Sequence, residues 1–306
     1  MKANTVVIMV GIQNDVSETS KKADAIIHHQ KAHEQTQDRV AILNWLTPTD
    51  YASQQEQYFG TRQLGTCQWL LESTEYQTWL ETKSETLLCP GIPGAGKTIL
   101  SSVVIDDLYT RFGNDSTVGI AFIYCSYLQE DKLDELLASI LRQMLQGQSS
   151  LPDNIKTLYE ECQLKMRRPS LGEISTALLS VATLFSKVFI VVDALDECRK
   201  SCRSELLSVL FNLQAKAHVN LVATSRPLLE INKEFEACSA VKSLQIQAHD
   251  EDIYRYLDSQ MSNLNISMLD KPSLKKEIKQ AITQAVEGMY VSICHSQPRY
   301  LYIDYI

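Results

Sequence analysis

The sequence predicts an α/β fold: a parallel, doubly wound sheet, flanked along the chain by helical segments. Three observations lead there. Between residues 85 and 245, short apolar runs alternate with segments of helical period, and alternating β and α implies a parallel sheet. The run Val188 to Val192 is apolar and β-branched throughout, as expected of a central strand covered on both faces. A glycine-rich loop, Gly91 to Thr98, separates the first of these strands from the first helix.

The elements follow in order. Residues 1–46 read as an N-terminal segment, an apolar start at Val6 to Val10 followed by a polar helix. Residues 47–84 read as a helical lead-in, with Trp69, Leu70 and Trp79 as helix-packing residues. The α/β core is expected over 85–247. It opens with the strand Thr86 to Cys89, and after the loop Ile99, Leu100, Val103, Val104, Leu108 and Phe112 recur at helical spacing. Val118 to Tyr124 reads as a strand, and Leu133, Leu136, Leu137, Ile140, Leu141 and Met144 line one helix face. Ser170-Leu171-Gly172-Glu173 has the spacing of a capping box, opening a helix that ends near Phe185. The strand at 188–192 ends on Asp193; Ser204 to Leu213 reads as a helix. Val219 to Ser225 is another apolar strand, closed by Arg226 and Pro227, and Leu244 to Ile246 is the expected last strand. Residues 248–306 read as a partial helical region. Asp250 to Asp252 suit the first turn of one helix, and Leu274 to Val286 form a second, ended by Gly288.

The loop Gly91-Ile92-Pro93-Gly94-Ala95-Gly96-Lys97-Thr98 matches G-x-x-x-x-G-K-T, the phosphate-binding loop of P-loop NTPases. Each residue type has its own task. Three of the chain's 11 glycines stand here and let the backbone wrap closely around an anion. Backbone N–H groups and the N-terminus of the following helix then face the phosphates. Lys97 supplies a full positive charge to the β- and γ-phosphates, and the Thr98 hydroxyl suits the coordination shell of Mg²⁺. Such a loop needs a carboxylate at the end of a neighbouring buried strand to hold the metal. Asp193 ends one, with Asp196 and Glu197 directly after it. Arg226, at the end of the next strand, is placed to report on the γ-phosphate.

Composition excludes several classes. At 306 residues and 44% hydrophobic content the chain can build a large core. A net charge of −8 and a pI near 5.3 argue against nucleic acid as partner, since a phosphate backbone needs clustered positive charge. Eight cysteines contain no C-x-x-C pair. Cys198 and Cys202 are spaced to share a helix face, but no second ligand pair follows, which disfavours zinc. Scattered thiols, Cys89 and Cys125 in buried strands among them, fit a reducing cytoplasm. Val6 to Val10 is too short to span a membrane and lacks a small-residue cleavage site. His28, His29 and His33 read as a solvated helix face rather than a metal pair.

Taken together, Gly91 to Thr98, Asp193-Ala194-Leu195-Asp196-Glu197 and Thr224-Ser225-Arg226-Pro227 resemble the NACHT branch of the STAND NTPases. Upstream, Trp45-Leu46-Thr47-Pro48, Gly65 to Leu71 and Trp79-Leu80 resemble the lead-in of large fungal NACHT proteins, a module also described as a nephrocystin-like N-terminal domain. The resemblance covers roughly residues 40–290. It implies an NLR-like signalling switch that rests with ADP, exchanges it for ATP with Mg²⁺, hydrolyses slowly and forms homo-oligomers or pairs with NLR-type proteins. In fungi that role is linked to non-self recognition and cell death. It also implies site roles. Gly91, Pro93, Gly94, Ala95, Gly96, Lys97 and Thr98 hold phosphate, Thr98 and Asp193 place the metal, Asp196 or Glu197 orients the attacking water, and Arg226 senses the γ-phosphate.

From Tyr290 to Ile306 the chain departs from the family, whose members continue into a helical bundle and repeats; a truncated product is the expectation. Two other function classes fit the same loop. One is a scaffold that grips nucleotide without hydrolysis. The other is a small-molecule kinase, for which Lys165 to Arg168 would be the basic lid. Asn232-Lys233-Glu234-Phe235 lacks the aspartate of the guanine motif, which favours ATP.

Overall fold

The computed structural model describes residues 30, 33, 36–128, 132–148, 150–236, 241–263 and 272–286. Val6 to Val10, His28, His29, the Gly288 stop and the tail from Tyr290 lie outside these residues. The chain divides into two compact units, Met1–Pro48 and Thr49–Ile306. In the first, residues 36–46 are helical.

The second unit is built on five strands: β1 (Thr86–Pro90), β2 (Val118–Tyr124), β3 (Lys187–Asp193), β4 (Val219–Ser225) and β5 (Val241–Ser243). All pairings are parallel, and the order across the sheet is β2-β3-β4-β1-β5. The apolar run in β3 is buried from Val188 to Val192, and β4 is buried along its whole length. Both are interior strands covered on two faces, which is why neither shows a period-2 alternation.

The strand order corrects one expectation. β3, which carries Asp193, is not a neighbour of β1; β4 lies between them, with Thr86 opposite Leu221 and Val188 opposite Val219. Strand order is set by non-local pairing, which no local pattern encodes. Its consequence is that the end of β4 sits between the glycine loop and the acids.

The helix Lys97–Phe112 packs against β2, β3 and β4 through Leu100, Val104 and Leu108. The helix Leu133–Gln146 covers the edge strand β2. There the Gln143 amide accepts from the Phe122 N–H at 3.0 Å and donates to the Phe122 carbonyl at 2.7 Å. An edge that would otherwise invite another strand is thereby satisfied. The capping box forms at Ser170: its side chain accepts from the Glu173 N–H, and Glu173 accepts from the Ser170 N–H at 2.8 Å. That helix, Leu171–Ala182, stops short of Phe185 because the chain tightens there. Leu184 and Phe185 bond three residues back, to Val181 and Ala182.

Other boundaries also shift. β5 begins at Val241, earlier than the expected Leu244, while Leu244 and Ile246 still donate to Leu88 and Pro90. The helix around Ser204 runs further, Lys200–Lys216, and leaves Cys198 outside it in an extended conformation. Cys198 and Cys202 therefore do not share a helix. Helices Asp250–Asn263 and Pro272–Val286 follow β5.

The lead-in is tied to the sheet by buried polar bonds. Trp79, fully buried, donates its indole N–H to the Leu221 carbonyl at 3.0 Å. The Asn220 amide donates to the Trp79 carbonyl and, at 2.7 Å, to the Thr82 carbonyl. Among the described residues no helix is long and apolar enough to cross a membrane.

Candidate functional site

β1 delivers the glycine loop to the C-terminal edge of the sheet, where ligands bind in open α/β folds. The Gly91 N–H donates to the Ser225 carbonyl at 2.9 Å. A Cβ at Gly91 would stand 2.9 Å from the Ile246 carbonyl oxygen, so a side chain does not fit. Gly94 and Gly96 take φ of 77° and 86°, the left-handed region that glycine enters without strain. Pro93 lies exposed at the loop's outer turn, and Ala95, 1% exposed, packs inward. Gly96 caps the helix Lys97–Phe112, whose first N–H groups carry the positive end of the helix dipole. The Lys97 ammonium donates back to the Gly91 and Ile92 carbonyls at 2.9 and 3.0 Å. Burial lowers its pKa, opposed by the Asp196 and Asp193 charges.

Asp193, 2% exposed, is gripped by three hydroxyls. Thr98 donates to Oδ2 at 2.7 Å; Ser101 and Thr224 donate to Oδ1, each at 2.7 Å. Thr224 in turn accepts from the Ala194 N–H at 2.9 Å. Ala194 has φ of 52°, a conformation that a small side chain tolerates and a β-branched one does not. It turns the chain from β3 into the 3₁₀ segment Leu195–Glu197.

On that turn the two remaining acids part company. Asp196, its side chain 3% exposed, accepts from the Arg226 Nε at 2.8 Å and from the Arg226 backbone N–H at 2.9 Å. Among the described residues, Glu197 accepts one long bond, 3.4 Å, from the Tyr127 N–H. Burial raises the Glu197 pKa first, and the Asp196 and Asp193 charges add to it, against that N–H and Arg226. A carboxyl moved toward neutrality suits a proton acceptor better than an ordinary surface glutamate does.

The structure thus brings Lys97, Thr98, Asp193, Asp196, Glu197 and Arg226 into one cluster. It adds Ser101 and Tyr58, which the sequence did not single out, and gives Thr224, named only as part of the segment ending in Arg226, a contact with Asp193. Ser101 and Thr224 complete the grip on Asp193. Tyr58, from the helix Ala52–Thr61, has its pKa raised by burial and then by the Asp193 and Glu197 charges. The same helix is anchored by Gln55, which donates to the Ser102 carbonyl at 2.9 Å and accepts from the Tyr124 hydroxyl. Serine, threonine and tyrosine are common residue types, and only their position gives them a role here.

Trp69 is half-buried. It stacks on His249, centroids 4.1 Å apart, and lines a cavity of about 550 Å³ with Gly65, Gln68, Gln247 and Arg255. Gln247 in that lining is one residue beyond Ile246, which pairs with Gly91, and Glu72, Asp250, Glu251 and Asp252 also line the cavity.

Lys165 and Arg167 are engaged structurally. Lys165 lies 3.8 Å from Glu161, and Arg167 forks onto the Glu173 carboxylate with a 2.6 Å bond. Asn232 to Phe235 lie in the helix Leu229–Glu236, where Glu234 binds Arg203 at 3.0 Å and Phe235 is buried. Among the described residues no group of three or more His, Cys, Asp or Glu stands ready to hold a metal.

Several solved structures are similar at low identity. Cdc6p from Pyrobaculum aerophilum aligns at 15% identity and a TM-score of 0.42, over 66% of this chain and 52% of that one. A Walker-type ATPase of Pyrococcus abyssi aligns at 15% identity and a TM-score of 0.48, over 75% of this chain and 66% of that one. Drosophila ORC bound to DNA aligns at 13% identity and a TM-score of 0.39, over 84% of this chain and 59% of that one. The chain therefore spans about half to two thirds of the length of these structures. No curated protein matches it. Residues 65–226 match the family model described as Nephrocystin 3, N-terminal. The match covers more than half of the chain and takes in the glycine loop, the acid turn and Arg226, and on that ground the protein belongs to the nephrocystin 3 N-terminal domain family.

Proposed function

We propose that the protein is a nucleotide-dependent switch of the NACHT, STAND type that binds ATP and ADP with Mg²⁺ and hydrolyses ATP slowly. The observation that carries this reading is the 2.7 Å contact between the Thr98 hydroxyl and the Asp193 carboxylate. It joins the glycine loop to the acid strand at the point where the two halves of a P-loop site must meet. The donors there are oxygens only, one hydroxyl and one carboxylate, which fits Mg²⁺, an ion that keeps most of its shell for water and phosphate. Thr98 and Asp193 would hold that ion, which would supply positive charge to offset the phosphates.

In this reading the Lys97 ammonium exchanges the Gly91 and Ile92 carbonyls for phosphate oxygens. Glu197 accepts the proton of the attacking water. Arg226 leaves Asp196 for the γ-phosphate when that group is present, so the Arg226–Asp196 pair distinguishes ATP from ADP. The cavity beside Trp69 has a volume suited to a small-molecule ligand, which supports a nucleobase as its occupant in this reading. The helical setting of Asn232 to Phe235 supports adenine over guanine. The acidic balance of the chain argues against nucleic acid as partner; the NACHT resemblance supports homo-oligomers or NLR-type proteins as the assemblies, and the scattered thiols support a cytoplasmic setting. A signalling role of the kind found in fungal non-self recognition follows from the NACHT resemblance.

Single-turnover phosphate release tests the assignment. Glu197→Gln should keep Mg-ATP bound while turnover falls by roughly 10²- to 10⁴-fold, the usual worth of a general base. Asp193→Asn should instead blunt the Mg²⁺ dependence of binding. Both variants hydrolysing like the parent would make the acid turn structural; no phosphate release from the parent itself would leave a nucleotide-binding scaffold.

A further inference from the structure

We propose that Cys125 and Cys198 form a redox-active dithiol that a peroxide converts to a disulfide, fixing the acid turn and slowing hydrolysis. The effect on turnover rests on the hydrolysis reading above; the disulfide itself does not. The two sulfurs stand 3.1 Å apart, and their residues are 5% and 3% exposed. The sheet sets this pairing. Tyr124 at the end of β2 is in register with Asp193 at the end of β3, and the Cys125 N–H donates to the Asp193 carbonyl at 3.1 Å. Cys125 thus follows the edge strand directly, and Cys198 follows Glu197 directly. The same two segments share the 3.4 Å contact between the Tyr127 N–H and Glu197. A bond between the sulfurs would close a link beside the one carboxylate whose reach the reaction needs.

The chemistry balances with hydrogen peroxide as oxidant, a molecule small enough for a buried pair. One thiolate attacks a peroxide oxygen, giving a sulfenic acid and releasing hydroxide, which takes up a proton as water. The second thiolate attacks the sulfenic sulfur and expels hydroxide, which leaves as a second water. Two thiols are oxidised by two electrons, and one peroxide is reduced to two waters. A disulfide needs the sulfurs at about 2.05 Å, so the pair must close by about 1 Å, and the part of that closure taken up by the backbone moves the acid turn. Displacements of that size at a reacting group cost up to about 100-fold in rate.

The test treats the full chain with hydrogen peroxide under native conditions, blocks remaining thiols, and maps peptides by mass spectrometry. The expected product is a Cys125–Cys198 cross-link that dithiothreitol reverses and that still forms in Cys202→Ser. Phosphate release should fall by up to about 100-fold on oxidation and recover on reduction, while affinity for Mg-ADP stays level. Cys125→Ser should form no link and keep its turnover after peroxide. Sulfinic acids at either position, a link through Cys202, or unlinked thiols would overturn the proposal. Equal turnover in the linked and reduced forms would overturn its regulatory half. Absence of turnover in the reduced protein would count against the hydrolysis reading, and the peptide map would still decide the cross-link.

Discussion

Glu197 and Asp196 are adjacent in sequence and opposite in state. Asp196 is held by two donors of Arg226, whereas Glu197 has one long bond and a carboxyl that burial pushes toward neutrality. The sign for catalysis follows. A proton acceptor must be ionised, so turnover is present above the Glu197 pKa and lost as pH falls through it. Because that pKa is raised, the acid limb should lie above the 4.5 of an ordinary glutamate. A profile of single-turnover rate against pH checks this, and Glu197→Gln should abolish the limb. A limb unchanged in that variant would assign the proton acceptor elsewhere. At this scale the sequence was most legible where chemistry restricts the residue type. Gly94 and Gly96 need positive φ, Lys97 a charge, Asp193 a carboxylate. It was silent on Ser101 and Tyr58, and it marked Thr224 only as part of the segment ending in Arg226; such side chains serve many purposes and acquire this one through packing.

Elements were legible in kind and blurred at their ends. β2 and β4 run as the apolar pattern predicts, Val118–Tyr124 and Val219–Ser225. The helix expected to reach Phe185 stops at Ala182, since its last turn tightens before Ser186 bonds to Thr117. The insertion of β4 between β1 and β3 was not legible, yet it is what puts Thr224 on Asp193 and Arg226 on Asp196. β4 also anchors the lead-in through Asn220, fully buried and bonded to the Trp79 and Thr82 carbonyls. Replacing that amide with an apolar group leaves the buried Trp79 carbonyl without it, which costs about 1–3 kcal/mol for an unsatisfied group. Asn220→Leu should therefore lower the urea midpoint with an unchanged slope. An unchanged midpoint would mean that the lead-in is held by apolar packing alone.

For the molecule as a whole, the parallel sheet was legible because strands buried on both faces must be apolar along their length, and helices must cover them. The meeting of three distant segments at one sheet edge was legible only as a consequence of that fold: Gly91 to Thr98, Asp193 to Glu197, and Thr224 to Arg226. The central claim is that this edge binds nucleotide phosphates through the glycine loop. Calorimetry of Mg-ATP binding to Lys97→Ala beside the parent tests it most directly. Losing a charged hydrogen bond costs roughly 1.5–3 kcal/mol, so affinity should fall about ten- to a hundredfold. Parent-like affinity in the variant would contradict the claim.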